Sequence, residues 1–507
     1  MKSIVSNKSL LFGLLTLFFV GCTENFEEIN INPNAPTVAN PGGLLTSIIF
    51  DPINPNLNVQ VLLTNQVLHY VVWRNQNNLD RYDFAAGDGI FTDLWNSHYK
   101  ALRNYNDLLA EVGGSQELGS YEAVAKIMRA FQMATVTELW IDAPFSQAGL
   151  GLDGLQPAYD SQETIYTAVL ADLLQANDLL NGAGFPQGGD ILFGGDEMMW
   201  RRMANSLRLR YLLRLSNVSS VNAASEIANI VNNPGQFPII TSNSESAIYD
   251  FSGVAPNTSD FSQRAPANVS AMNISERFIQ TLDGVDNIDN TEDDDPRLAY
   301  WGLLPACVAN GDTSPQCTGN YLGAKNGTSR EVAQGTGGNA ELYSSSHTGM
   351  FQSNPNSLDF TFISYAEVQF ILAEAAMKGW IDGDAADFYN AAITANLDQW
   401  GISMPAGFLE RGDVQFDGTM ERLMTQKWIA MMWNNTIEMW GEQKRTGLPD
   451  LSTSLGDFAS DISGGKIATR IFYPTLEQSV NPSNYSSATS NFGSSPATKI
   501  TAPHWYQ

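Results

Sequence analysis

The chain has 507 residues, and its 43% apolar and 10% aromatic content supplies a large core and excludes a disordered chain. Acidic residues outnumber basic ones 54 to 27, and the formal charge of −27 excludes the basic surface that nucleic-acid binding requires. Only 16% of the residues are charged, so the surface must consist largely of neutral polar side chains, which suits an exported protein with a neutral polar ligand.

The chain begins with a pattern typical of a bacterial lipoprotein signal. Lysines precede an apolar run at 10–20, which is too short to span a bilayer, and Gly-Cys follows at Cys22. We predict a signal peptide at 1–21, acylation of Cys22 and an extended tether at 22–43, whose prolines and glycines break helices. The body at 44–507 would then be held at a membrane only by its lipid anchor. An ordinary signal peptide with a chance cysteine is the alternative.

The body is predicted to be a single, mainly α-helical unit. Amphipathic periodicity indicates helical repeats at about 91–216 and 362–443. Between them, residues 232–358 are rich in Gly, Ser, Asn and Pro, which predicts a loop-rich insert with small strands and isolated helices. Ala385, Tyr389 and Ala392 have the small-aromatic-small spacing of a tetratricopeptide helix, although ordinary helical hairpins would share it.

Two features of the insert concern covalent and metal chemistry. Cys307 and Cys317 are the cysteines left if Cys22 is acylated, and outside the cytoplasm they are expected to form a loop disulfide, with two free thiols as the alternative. The acidic loop at 283–295 offers oxygen ligands for a structural calcium ion, but its spacing departs from the EF-hand, and a solvated acidic loop is the simpler interpretation. The candidate ligands are Asp283, Asp286 and Asp289.

The sequence gives little support for catalysis. It has four histidines, none in an H-E-x-x-H motif, and it has no G-x-S-x-G nucleophile motif. Paired carboxylates could hydrolyse glycosides, but 54 acidic residues make chance pairs unavoidable. We therefore predict a binding protein that needs no catalytic cofactor.

Aromatic side chains are the expected ligand contacts, because sugar rings present C–H faces that pack on flat π surfaces. Trp73 precedes a run of hydrogen-bonding side chains that includes Asn75 and Gln76, so we predict Trp73 as the leading stacking residue. Supporting candidates in the loop-rich insert are Trp301, Tyr321 and Tyr343. For each aromatic residue, a place in the core is the alternative.

Six segments in order carry a family resemblance. After the lipoprotein signal come FEEININPN at 26–34, ELWIDAPFSQA at 138–148, DPRL at 295–298, YAEVQF at 365–370 and QKWIA at 426–430. With these segments the chain resembles the SusD/RagB family of nutrient-binding surface lipoproteins of Bacteroidetes. The resemblance implies a fold with four tetratricopeptide-like helix pairs on one side and loops on the other.

The resemblance also implies a function. Family members sit at the outer membrane, facing the cell exterior, as lids on a SusC-like TonB-dependent barrel transporter, to which they deliver glycans or, in some cases, peptides. We expect the helical repeats to contact the transporter and an oligosaccharide to bind the loop face. A tetratricopeptide-type adaptor that binds only proteins is the alternative, which the long loop-rich insert disfavours.

Overall fold

Helices form most of the structure, a computed structural model in which Pro41–Gln507 is one unit. The residues that it describes are 40–73, 79–180, 182, 184–259, 272–283, 294–309, 317, 320–329, 343–346 and 358–507. Within these ranges, no helix is both long enough and apolar enough to cross a membrane. The prediction of a mainly α-helical fold is confirmed.

The helices fall into three groups along the chain. The first contains α1 Pro41–Phe50, α2 Ile53–Val59, α3 Asn65–Val67, α4 Asp88–Val112, α5 Gly119–Trp140, α6 Gln162–Leu179, α7 Glu197–Arg214 and α8 Ala223–Asn232. Short helices follow at α9 Glu276–Leu282, α10 Pro296–Trp301 and α11 Ala306–Ala309. The last group contains α12 Tyr365–Met377, α13 Ala385–Gln399, α14 Met420–Met431, α15 Thr436–Thr446, α16 Asp457–Ser463, α17 Glu477–Val480, α18 Pro482–Thr489 and α19 Pro496–Ile500.

Consecutive long helices pack as hairpins. α5 packs against both α4 and α6, and α6 against α7, while α12 pairs with α13. In the last pair the rings of Phe370 and Tyr389 lie 6.3 Å apart edge to face, and Tyr389 and Ala392 are fully buried. The predicted small-aromatic-small pattern therefore lies at the contact between the two helices, as close packing requires.

The first helix begins inside the predicted tether. Residues 41–43 were expected to be extended, but α1 begins at Pro41, where the fixed φ of proline suits the first helical position. A Cβ atom on Gly42 would lie 2.4 Å from the carbonyl oxygen of Gln187, so only glycine allows this approach. The prediction of an extended segment is wrong for these residues, because packing against a distant part of the chain outweighs the tendency of proline and glycine to break a helix.

A buried ionic network joins the two groups of long helices. Its five carboxylates and five basic groups are all at least nine-tenths buried. Its members are Glu138, Arg210, Arg214, Glu367, Glu374, Lys427, Glu438, Glu442, Lys444 and Arg445. The equal numbers of opposite charges offset the cost of burial, whereas removal of one member would leave a buried charge uncompensated.

The strands are short and mostly antiparallel. They are β1 Val71–Trp73, β2 Ala143–Pro144, β3 Tyr159–Asp160, β4 Ala247–Tyr249, β5 Met272–Ile274, β6 Gly302–Leu303, β7 Ser345–Ser346 and β8 Phe360–Ile363. One sheet has the order β1-β5-β7-β6, and β2-β3 and β4-β8 form two-stranded sheets. The described parts of the insert thus consist of short strands, short helices and loops, as predicted.

Candidate ligand-binding site

The two tryptophans predicted as stacking residues are buried. Trp73 lies in β1, opposite Met272 of β5, with only 3% of its surface exposed. Trp301 ends α10 with 1% exposed, and its ring stacks on Phe278 at 6.1 Å and meets Trp400 edge to face at 5.9 Å. Neither indole presents a face to solvent, so the prediction that they form a binding platform is corrected. Both belong to the core because neighbouring elements cover them.

The two tyrosines of the same prediction are only partly buried. Tyr321 lies close to Gly302 of β6, and Tyr343 packs against Val72 of β1. Burial raises the pKa of both phenols. The structure therefore brings all four predicted aromatic residues to the four-stranded sheet, but only the tyrosines keep partial exposure. Asn75 and Gln76 lie outside the described residues.

The remaining predicted sites have different outcomes. Cys307 and Cys317 form the predicted disulfide, with Cα atoms 5.9 Å apart. Asp283 caps the C-terminus of α9, but Asp286 and Asp289 lie outside the described residues, and so does Cys22. Among the side chains that the structure describes, no three His, Cys, Asp or Glu groups are arranged to hold a metal ion. The calcium site stays a prediction.

A cavity of about 460 Å³ lies between the segment before α4 and the C-terminal tail. We call it the aromatic cavity. Its aromatic lining residues are Phe84, Phe472, Tyr473, Tyr485 and Phe492. Polar and small side chains complete the lining, namely Ala85, Asp88, Arg470, Thr475, Gln478, Thr489 and Lys499. Rings with hydrogen-bonding groups between them are the surface that a sugar requires.

Ring contacts hold the walls of the aromatic cavity in place. Phe84, in a 3₁₀ turn before α4, meets Phe472 edge to face at 6.1 Å. Tyr473 contacts Tyr485 of α18 at 6.0 Å and Phe492 at 6.1 Å. The hydroxyl of Tyr473 donates to the carbonyl of residue 142 at 2.6 Å, which fixes this ring in the core. Phe472 and Tyr485 remain partly exposed, so their faces are the ones available to a ligand.

Hydrogen bonds join the two sides of the aromatic cavity. The carboxylate of Asp88, at the start of α4, accepts bonds from the backbone N–H and the hydroxyl of Thr475, both at 2.9 Å. Gln478 and Lys499 are exposed at its rim. The cavity therefore offers an amide, a hydroxyl and charged groups beside its rings, all on elements tied to the helical body.

A second cavity, of about 560 Å³, has a different chemistry. We call it the acidic cavity. Its described lining includes three acidic side chains and no basic one, and the acidic residues are Asp250, Asp359 and Asp398. Burial and the neighbouring Asp250 raise the pKa of Asp359 to about 7, and the two groups share a hydrogen bond. Phe193, Trp400 and Trp433 contribute rings, but only 3% of the surface of Trp433 is exposed.

The sequence analysis did not identify the residues of the aromatic cavity. It placed the ligand on the loop-rich insert. A signal was nevertheless present, because Phe472, Tyr473, Tyr485 and Phe492 stand close together in a tail rich in Ser, Asn and Gly. Such an aromatic density in an otherwise polar segment indicates either a packed tail or a binding surface, and here the tail packs on the body and lines a cavity.

Comparisons with known proteins agree with this architecture, which is a mainly helical hairpin scaffold carrying a surface cavity. The model of the SusD-like family, described as "Starch-binding associating with outer membrane", matches residues 33–474. The chain therefore belongs to the SusD-like family. No curated protein sequence matches the chain closely enough to count as a relative.

Solved structures share the fold over nearly the whole chain. A chitin-binding protein is 26% identical, covering 92% of this chain and 99% of its own, with a TM-score of 0.75. A SusD homolog from Bacteroides fragilis is 20% identical, with coverages of 92% and 100% and a TM-score of 0.74. A SusD homolog from Parabacteroides distasonis is 19% identical, with coverages of 92% and 98% and a TM-score of 0.76.

Proposed function

We propose that this protein is a lipid-anchored outer-membrane protein that captures an oligosaccharide in the aromatic cavity and delivers it to a TonB-dependent transporter. The aromatic cavity is the observation that carries the proposal. Its volume of about 460 Å³ suits a few sugar rings, and the partly exposed Phe472 and Tyr485 offer stacking faces. The family description and the chitin-binding relative support a glycan as the ligand.

The acidic cavity is the weaker candidate for a neutral glycan. Its acidic groups can accept hydrogen bonds from the hydroxyls of a glycan, but no basic side chain among the described lining residues can donate to them. Its carboxyl pair does not suit glycoside hydrolysis either. Retaining and inverting glycosidases separate their two carboxyl groups by about 5 Å or more, whereas Asp250 and Asp359 are joined by a direct hydrogen bond. This geometry supports a binding function without catalysis.

The transporter contact has two candidate surfaces. The sequence prediction places it on the helical repeats, whose stacked hairpins suit a protein partner. A second candidate is an apolar surface beside the aromatic cavity, formed by Leu155, Leu476 and Val480, of which Leu155 is 72% exposed. Gln156 donates to the carbonyl of Val480 at 3.2 Å and so ties the two segments of this surface together. Photo-crosslinkers placed on each surface in native membranes would identify which of them contacts a barrel partner.

Binding studies with two matched variants test the ligand site. We expect the mature protein to bind at least one oligosaccharide on a mixed array of glycans and peptides. Tyr485→Ala removes a partly exposed ring of the aromatic cavity and should weaken that binding about ten- to a hundredfold in calorimetry. Phe193→Ala removes a partly exposed ring of the acidic cavity and should leave the affinity unchanged.

Each contrary outcome has a distinct meaning. Loss of affinity in Phe193→Ala alone would place the ligand in the acidic cavity. Binding of peptides but not glycans on the array would refute the glycan and favour a peptide ligand. Binding of neither, together with capture of a folded protein partner by the helical hairpins, would favour the adaptor function.

A further inference from the structure

The aromatic cavity contains a buried cation with which no carboxylate of the described residues forms an ion pair. Arg470 lines this cavity, yet only 2% of its surface is exposed. Its Nη1 donates to the carbonyl oxygen of Lys499 at 2.9 Å. Its Nε and Nη2 make no hydrogen bond of ordinary geometry within the described part of the chain, although the hydroxyl of Tyr473 lies close enough to interact with the guanidinium. Two strong donors of one guanidinium are therefore unused at the wall of a cavity.

The acidic residues nearest to this guanidinium have other roles. Asp142 is close enough to interact electrostatically, but it makes no ion pair with Arg470, and it accepts from the backbone N–H of Gln162 at 3.1 Å. Asp88, on the opposite side of the cavity, binds Thr475. No ion pair to Arg470 exists among the described residues. The buried arginines of the ionic network, in contrast, are all paired with carboxylates.

Aromatic rings compensate this charge only in part. The guanidinium carbon lies 3.8 Å from the ring centroid of Phe492 and 5.0 Å from that of Tyr473. A cation–π contact of this kind attracts the positive charge, but it satisfies no N–H donor. A buried donor without an acceptor is costly, and a charged one more so. An anionic group supplied by a ligand would remove this cost.

The charge balance of the cavity points the same way. Its charged lining residues are Arg470, Lys499 and Asp88, so bases outnumber acids two to one. In the whole chain the ratio is reversed, with 54 acids against 27 bases. A local excess of positive charge on a strongly acidic protein attracts an anion to this cavity and away from the rest of the surface.

We propose that the oligosaccharide bound in the aromatic cavity is acidic, with the carboxylate of a uronic acid accepting from Nε and Nη2 of Arg470. This inference rests on the proposed function and names the substrate class. Phe492 covers the guanidinium, so the proposal requires its ring to move aside when the carboxylate binds. Lys499, exposed at the rim, contributes long-range attraction, and Phe472 and Tyr485 stack against the neighbouring sugar rings.

Matched pairs of acidic and neutral ligands test the inference. The probes are oligogalacturonides, oligomannuronates and hyaluronan oligosaccharides, each as the free acid and as its methyl ester, together with neutral glucans and chitin oligosaccharides. Hydrogen bonds to a charged group predict that at least one acid binds the mature protein about ten- to a hundredfold more tightly than its ester. This comparison needs no variant.

Two variants with the same change in charge test whether Arg470 causes the preference for the acid over its ester. Arg470→Gln should remove most of the difference between acid and ester, while the affinity for the ester changes by less than about threefold. Lys466→Gln, at an exposed position of the same tail outside the cavity lining, should preserve the difference. Thermal unfolding of both variants checks that they are folded. If Arg470→Gln is unfolded, Arg470→Lys keeps the charge but not the two-donor geometry, and it should reduce the preference for the acid.

The outcomes separate the inference from the proposed function. Equal binding of acid and ester, or binding of neutral glycans alone, overturns the acidic ligand and leaves glycan capture intact. An acid preference that persists in a folded Arg470→Gln variant also overturns the role of Arg470. Binding of no glycan in any form overturns both proposals.

Discussion

Gly441 of α15 lies where a single added methyl group should break the buried ionic network. A Cβ atom at this position would lie 1.8 Å from Nη1 of Arg214 and 2.2 Å from its Cζ. Arg214 is fully buried and binds three carboxylates, with distances of 2.7 Å to Glu138 and 3.1 Å to Glu442, and a further ion pair to Glu438. Gly441→Ala must therefore displace the guanidinium from its partners.

The expected change in the free energy of unfolding is the difference between two effects. Replacing glycine by alanine inside a helix stabilises the folded state by about 1 kcal/mol. Breaking a buried ion pair while its partners stay charged destabilises it by about 3–5 kcal/mol. We therefore expect Gly441→Ala to lower the free energy of unfolding by about 2–4 kcal/mol.

Urea unfolding followed by tryptophan fluorescence measures this change. The matched control is Gly89→Ala in the first turn of α4, where an added Cβ meets no atom within 4 Å. That variant should be as stable as the wild type or more stable, by up to about 1 kcal/mol. If Gly441→Ala were as stable as Gly89→Ala, the network could rearrange around the added methyl group without loss of stability. That result would refute the claim that the substitution must separate Arg214 from its carboxylate partners.

Three further predictions concern the anchor, the disulfide and the pH dependence of stability. Cys22→Ala should abolish labelling by a fatty-acid probe and release the protein from membranes; persistent labelling would contradict acylation at this residue. Reduction of Cys307–Cys317 should add two hydrogens to the intact mass and, for so short a loop, cost about 2–3 kcal/mol of stability, whereas an unchanged unfolding midpoint would contradict the loop-entropy estimate. Burial lowers the pKa of His98 to about 3, so between pH 6.5 and 3 the unfolded chain binds a proton that the folded protein does not. This residue alone should thus destabilise the wild type by about 2 kcal/mol from pH 7 to pH 5, and His98→Leu should lack this loss in urea titrations at the two pH values.

The sequence was most informative where structure depends on neighbours along the chain. The helices over 91–216 and 362–443 follow from apolar periodicity, because helical hydrogen bonds join residues four apart. The disulfide could be expected because its two cysteines are ten residues apart. The family segments likewise depend on short stretches with a fixed order. Each of these features needs little knowledge of distant contacts.

The sequence was least informative about exposure. Trp73 is followed by residues that suit a binding surface, but β5, from a distant part of the chain, pairs with its strand and buries it. At Pro41 a similar long-range contact, with residues near Gln187, turns breaker residues into the start of a helix. A local pattern cannot reveal which distant element covers a side chain.

By itself, then, the sequence determined the helical class of the body, the cysteine pair and the family of this protein. Tertiary structure alone decided which rings line a cavity, because the aromatic cavity is assembled from residues 84–88 and 470–499, near opposite ends of the chain. It also decided that Arg470 is buried and that no carboxylate in the described part of the chain pairs with it. The physical reason is that helix formation depends on short-range backbone hydrogen bonds, whereas burial and charge pairing depend on which distant segments the fold brings together.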